Sequence, residues 1–310
     1  MEKILVTIGE RFSQEGKQIL SELGDAEYLD CDREKLLTSI EGTTVLIVGL
    51  GHIIDKEVID KASNLKMIAT ATTGTDHIDL EYADSKNIAV VSLKDETEFL
   101  QSITSTAELS LELMIALARN THSAVESVKG NEWDRDAHEG HTLSGKTLGI
   151  VGLGRLGKLM AKYGKALGME VVFTDPNVDS TDFENVTFQD LLKRSDVISI
   201  HAHLTDETKN MFNAEAFEQM KPAAYLVNTS RGQIVDESAL ISALESKKLA
   251  GYATDVLADE LEFEERVESS LIDYAKKHSN VIITPHVGGM TEESRAATDT
   301  FIAKKIQSSL

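Results

Sequence analysis

Cysteine is nearly absent from this sequence: Cys31 is the only one, which excludes an internal disulfide and any multi-cysteine zinc site. Proline is almost as scarce, with 3 among 310 residues, and no proline-rich linker, repeat or low-complexity tract interrupts the chain. No apolar run approaches the roughly 18 residues that a membrane span requires. The opening stretch, MEKILVTIGE, carries an acid at its second position and too short an apolar run for a signal peptide, so a cytoplasmic protein is the simple expectation. Basic residues are also in short supply, 31 Lys and Arg against 52 Asp and Glu, which gives a net charge of −21. Nucleic acid and anionic membranes are therefore poor partners. An anionic small molecule would need a local cation to hold it against this field, so an arginine at a site carries extra information.

What is present is enough chain for two domains, each with its own core. The most informative stretch is TLGIVGLGRLGKLMAKYGKALGMEVVFTD, residues 147–175. An apolar strand ends at Val151, a GxGxxG turn follows at Gly152, Gly154 and Gly157, and an amphipathic helix begins. Such a turn lets a phosphate approach the backbone where the helix start presents its N–H groups, and its third glycine lets helix pack on strand. The next strand ends in Asp175, 18 positions after Gly157, where a carboxylate accepts hydrogen bonds from a ribose diol and repels a 2′-phosphate. Pro176, Asn177 and Val178 follow, with no arginine to neutralise such a phosphate, so the spacing favours NAD over NADP. A lone glycine fingerprint is weak evidence; the flanking strands and the spaced acid make it specific.

Before this unit, residues 4–8, 45–48, 66–71 and 88–93 read as strands, with helices at 14–23, 56–62 and 80–85, a separate α/β domain without a fingerprint of its own. The loop TTGTDH, residues 72–77, stands between strand and helix. Its backbone N–H groups suit a carboxylate, whereas the bland reading is an ordinary loop with Asp76 as a cap; both stay open. Residues 104–119 form a long apolar helix bridging the domains, and the polar arm after it carries the lone Trp133. That tryptophan reads either as a subunit contact or as a residue tucked against its own domain. Later apolar runs at 196–202, 225–230, 252–257 and 281–284 continue a parallel sheet, and residues 291–306 close the chain as a helix.

Ligands of an open parallel sheet collect beyond the carboxyl ends of its strands. Three polar residues follow predicted strands there: Arg231, Glu260 and His286. Arginine grips a carboxylate bidentately, histidine exchanges a proton near neutral pH, and a carboxylate on the other ring nitrogen orients the imidazole. Taken singly, such an arginine is usually a surface ion pair and such a histidine structural; together, beside a nicotinamide, they suit hydride transfer at a carbinol. Asp255 stands where it would accept from a nicotinamide carboxamide, or else it is a cap. His201 and His203, two apart at a strand end, raise the question of a metal, but no third ligand stands nearby and a polar loop on the adenosine side explains both, so no metal is expected.

TGTDHID, STAEL, GNEWDR, LSGKTLGIVGLGRLG, MKPAAYLVNTSRGQIVDESAL, ATDVLADE and ITPHVGG occur in the order found in one family. Over nearly its whole length the chain resembles the D-isomer-specific 2-hydroxyacid dehydrogenases, the group that includes phosphoglycerate-, glycerate- and glyoxylate-acting enzymes. The resemblance implies a Rossmann-type doubly wound cofactor domain, residues 99–287, inserted into a smaller flavodoxin-like α/β substrate domain made of residues 1–98 and 288–310. It also implies a homodimer through the long helix and arm. By the same resemblance Arg231 binds substrate, His286 is the acid/base with Glu260 as partner, and Thr73 and Gly74 hold the substrate carboxylate through their backbone. NAD would be contacted by Gly152, Gly154, Arg155, Leu156, Gly157, Asp175, His201, Thr229, Ser230 and Asp255, with Gly288 and Gly289 shaping the site after His286.

The sequence departs from the family pattern where Leu261 follows Glu260 in place of a proline, where a long acidic stretch precedes His286, and at His203 and Ala223. Near His52 there is no further basic residue to favour a phosphorylated substrate, and no regulatory domain is expected after the last helix. The expectation is reversible, NAD-dependent reduction of a 2-keto acid to the D-2-hydroxy acid. The alternative is an NAD(H)-sensing interaction protein, which would have no need to keep Arg231, Glu260 and His286 together.

Overall fold

The computed structural model describes residues 1–260 and 269–310. It divides into two compact units, Met1–Ile103 with Met290–Leu310, and Thr104–Gly289. These boundaries lie a few residues beyond the expected ones. The short helix Thr97–Leu100 buries Leu100 in the first unit's core and stacks Phe99 on Phe301 at 4.0 Å between ring centroids, which keeps this stretch with that unit.

In the first unit, β1 (Glu2–Val6), β2 (Gly24–Tyr28), β3 (Val45–Val48), β4 (Met67–Thr70) and β5 (Ala89–Val91) form a parallel sheet in the order β2-β1-β3-β4-β5. That is the flavodoxin-like order. Successive side chains point to opposite faces, so Ile4, Val6, Val45 and Ile47 join one core while Leu5, Leu46 and Val48 join another. A strand buried on both sides reads as an unbroken apolar run, as VLIV does at β3. The helix Glu292–Ser309 returns to this unit, placing Ile302, Ala303 and Ile306 in the core with Leu20 of the Gln14–Leu23 helix.

In the second unit, β6 (Thr147–Val151), β7 (Glu170–Thr174), β8 (Glu184–Asn185), β9 (Val197–Ile200), β10 (Ala224–Asn228), β11 (Leu249–Thr254) and β12 (Val281–Ile283) pair in the order β12-β11-β10-β9-β6-β7-β8. All described pairs are parallel. Chain order therefore reverses at β6 and β9, the position where a doubly wound sheet opens a crevice for a ligand. The apolar Ser105–Ala118 helix covers one face with Leu113, Met114 and Leu117, and its low polarity reflects burial along most of its length.

The register is what makes a site. Val151 pairs with Thr174 and Ile200, Ile200 with Asn228, Asn228 with Thr254, and Thr254 with Ile283. Six strands thus end in one row. The residues immediately beyond that row are Gly152, Asp175, His201, Thr229, Asp255 and Thr284, spaced by the roughly 5 Å between neighbouring strands.

Candidate active site

At β6 the chain must turn sharply. Gly152 adopts φ +89°, and a Cβ there would lie 2.8 Å from the His201 carbonyl oxygen. A Cβ at Gly157 would lie 2.0 Å from the Gly152 carbonyl oxygen, so only glycine lets the Arg155–Ala166 helix sit this close to the turn. At Gly154, the N-cap, an added Cβ meets nothing within 4 Å, which leaves room beside the helix start. Asp175 braces this turn from β7: its carboxylate accepts the Leu153 N–H at 2.8 Å and the Asn177 N–H at 2.8 Å. Arg155, in the first helical turn, is drawn below the ordinary guanidinium pKa by burial. A backbone open to a phosphate, a cation at the helix start and a carboxylate at the next strand end fit a dinucleotide.

Beyond β10, buried Asn228 bends the chain by accepting the Ser230 N–H at 3.0 Å and donating to the Arg231 carbonyl at 2.9 Å. The Arg231 guanidinium donates to the Ser230 carbonyl at 2.8 Å. Ser230 Oγ donates to the Ala202 carbonyl, tying this loop to the one after β9, and Thr229 Oγ1 lies 2.6 Å from Ser110 Oγ on the long helix. His201 is neutral: burial pulls its imidazole down to about 4, and its Nε2 lies 2.9 Å from Ser199 Oγ. Strand β9 stops at Ile200, short of the 202 expected, so His201 and His203 do not stand together at a strand end; His203 is exposed in the loop beyond.

Asp255 is 1 % exposed, and its carboxylate holds the segment after β12 in place. Oδ1 accepts from Thr284 Oγ1 at 2.6 Å and from the Val287 N–H at 2.8 Å, while Oδ2 accepts the Gly288 N–H at 2.7 Å. Between these anchors His286 takes the left-handed conformation, φ +52°, with its N–H donating to the Asp255 carbonyl at 2.9 Å. Such a conformation costs on the order of 1–3 kcal/mol in a non-glycine residue and persists where surrounding bonds over-determine it. Its consequence is the aim of the ring: His286 Nδ1 lies 2.7 Å from Glu260 Oε1, with both side chains about one-quarter exposed. Glu260 is fixed in turn, its Oε2 accepting the Leu257 N–H at 3.1 Å.

The structure therefore brings Glu260 and His286 into direct contact and puts Arg231 at the end of β10, next to β11. Leu261 lies outside the described residues. In the first unit, the loop at Thr73 and Gly74 is organised by Thr72, whose hydroxyl donates to the Gly74 carbonyl at 2.6 Å. The next helix starts at Leu80 and is capped by Asp79, which accepts the Tyr82 N–H at 3.0 Å, so Asp76 is not its cap and the loop is not a helix start. Trp133 is 89 % exposed, which removes the reading that tucks it against its own domain. Among the described residues, no group of three His, Cys, Asp or Glu side chains is placed to hold a metal, and no helix is long and apolar enough to cross a membrane.

Two contributors escaped the sequence: Thr284, read only as the end of the apolar run 281–284, and Glu237, which carries no signal of its own in the sequence. Glu237 instead accepts the Ala258 N–H at 3.0 Å, and burial raises its carboxyl above the usual range.

Residues 111–288 match the family described as D-isomer specific 2-hydroxyacid dehydrogenase, NAD binding domain. The chain is 38% identical to D-3-phosphoglycerate dehydrogenase of Methanocaldococcus jannaschii across 99% of its own length, and spans 57% of that relative. It is 33% identical to hydroxypyruvate reductase of Thermotoga maritima, covering 99% of this chain and 98% of that one. Among solved structures, D-lactate dehydrogenase from Aquifex aeolicus complexed with NAD and lactic acid superimposes with a TM-score of 0.85 at 29% identity, covering 99% of this chain and 94% of the other.

Proposed function

Because the chain belongs to the D-isomer-specific 2-hydroxyacid dehydrogenase family, NAD-dependent oxidoreductases acting on CH–OH donors, we propose that it interconverts a small 2-keto acid and the D-2-hydroxy acid with His286 as general acid/base. The observation that carries this reading is the 2.7 Å contact between His286 Nδ1 and Glu260 Oε1 at the row of strand ends that also holds the glycine turn and Arg231. With Nδ1 engaged by the carboxylate, Nε2 is the nitrogen that exchanges a proton with the substrate oxygen. Glu260 fixes the ring orientation and stabilises the imidazolium when it forms. Arg231 holds the substrate carboxylate and draws charge from the adjacent carbonyl. NAD(H), when bound, supplies or accepts the hydride.

Gly152, Gly154, Arg155, Leu156 and Gly157 would hold the cofactor's phosphates. Asp175 would hold a ribose diol and disfavour a 2′-phosphate, while His201, Thr229, Ser230, Asp255, Gly288 and Gly289 would line the remainder. For the first unit, we propose that the backbone at Thr73 and Gly74 contributes to recognition of the substrate carboxylate. Homodimer formation through the arm that exposes Trp133, and a cytoplasmic location, belong to the same reading.

Purified protein mixed with NADH and a panel of unphosphorylated and phosphorylated 2-keto acids tests the activity. Loss of absorbance at the NADH band with at least one of them is expected; none with any would refute the proposal.

A further inference from the structure

The turn that carries Glu260 is gripped from outside the catalytic pair. Ala258, two residues before Glu260, has both backbone polar groups taken by side chains of one neighbouring stretch: its N–H donates to Glu237 Oε1 at 3.0 Å, and its carbonyl accepts from Gln233 Nε2 at 3.2 Å. The same stretch presses on the turn at Gly232, where an added Cβ would lie 2.1 Å from the Leu257 carbonyl carbon and 2.3 Å from the Ala258 nitrogen. Immediately before it comes Arg231. Asp236, not Glu237, caps the Glu237–Glu245 helix, accepting the Ser238 N–H at 3.0 Å and the Ala239 N–H at 3.1 Å, so Glu237 is not needed at the helix start. It is half-buried, and a buried carboxylate without a donor is costly, which makes the Ala258 N–H a strong tether.

We propose that Glu237, assisted by Gln233, is a positioning residue for the Glu260–His286 pair: it holds the Leu257–Glu260 turn against the Arg231 segment, so that Glu260 meets His286 Nδ1 at a fixed place relative to Arg231. The catalytic meaning of this device rests on the dehydrogenase reading; its geometric content does not. Glu260 has two oxygens with different duties, one on His286 Nδ1 and one on its own turn at the Leu257 N–H, so a loosened turn displaces both together.

The test compares Glu237→Ala, Glu237→Gln and Gln233→Leu with the parent protein by two independent readouts. The first is the tautomer of His286, read from long-range ¹H–¹⁵N correlations in protein labelled at histidine nitrogen and assigned with His286→Asn. The parent is expected to hold its proton on Nδ1, toward Glu260; Glu237→Ala is expected to give mixed tautomers, and Glu237→Gln, which keeps the acceptor oxygen, to restore the parent pattern. The second readout is steady-state kinetics: Glu237→Ala should lose about 10-fold or more in kcat, and its pH profile should shift, while KM changes little. Gln233→Leu should show the same changes in milder form, and it decides the matter if Glu237→Ala does not fold. An unchanged His286 tautomer and pH profile in Glu237→Ala, or in Gln233→Leu should that one be decisive, overturns the proposal, even if the melting temperature falls. Absence of turnover in the parent would defeat the dehydrogenase reading alone, since the tautomer measurement still decides whether Glu237 positions the pair.

Discussion

The Gly288 N–H donates to Asp255 Oδ2 at 2.7 Å across 33 residues of sequence, and a Cβ at Gly288 would sit 3.0 Å from that same oxygen. A buried carboxylate and a glycine backbone thus close the turn that aims His286. Asp255→Asn should break this closure, because three donors need both oxygens and the amide replaces one of them with a donor. We expect a loss of about 2–3 kcal/mol in urea unfolding together with a fall in kcat larger than any change in KM. Stability and turnover both at parent levels would show that the three bonds are dispensable.

Asp175 has two duties, bracing the Leu153 N–H and, in the proposed function, holding the ribose diol. Asp175→Ala should therefore weaken NADH binding by about 10-fold or more, as expected for a lost charge-assisted hydrogen bond. NADPH should be affected less, since the repulsion of its 2′-phosphate is removed at the same time. Calorimetric titration of both cofactors checks this, and equal weakening of the two would remove Asp175 from cofactor discrimination.

The first unit carries a buried acid with a separate consequence for stability. Asp299, 3 % exposed on the Glu292–Ser309 helix, accepts the Ser13 N–H at 3.0 Å, yet burial raises its carboxyl to about 6 from an ordinary 3.8. Between about pH 4 and pH 6 the folded state then binds more protons at this group than the unfolded chain, so this contribution to stability is present at low pH and is lost as pH rises through about 6. Asp299→Asn keeps an acceptor for Ser13 without the charge. It should flatten that limb and raise stability at pH 8 by up to about 3 kcal/mol, the ceiling set by the size of the shift. Urea unfolding at pH 4.5 and pH 8 measures the difference, and an unaltered pH slope would contradict it.

How much of this was readable in the chain follows from burial. Val45–Val48 and Glu170–Thr174 were legible because interior strands of a parallel sheet leave unbroken apolar runs. The strands Gly24–Tyr28 and Glu184–Asn185 were not, since both lie at sheet edges and the first alternates half-buried with exposed polar residues. Arg231, Asp255 and His286 stood out as polar residues directly after apolar runs. The clamp from Asp255 to Gly288 and the tether from Ala258 to Glu237 could not, because they join positions 33 and 21 residues apart through backbone atoms that carry no sequence signature. The left-handed backbone at His286 was equally silent, as histidine does not advertise it in the way glycine does.

In the proposed reaction His286, held by Glu260, moves the proton at the substrate oxygen. The most direct measurement is the single-turnover rate of 2-keto acid reduction by His286→Ala, set beside its NADH affinity. A loss of about 10²–10⁴-fold in rate is expected, with NADH binding retained. Parent-level turnover in that variant would place the acid elsewhere and remove His286 from the proton transfer.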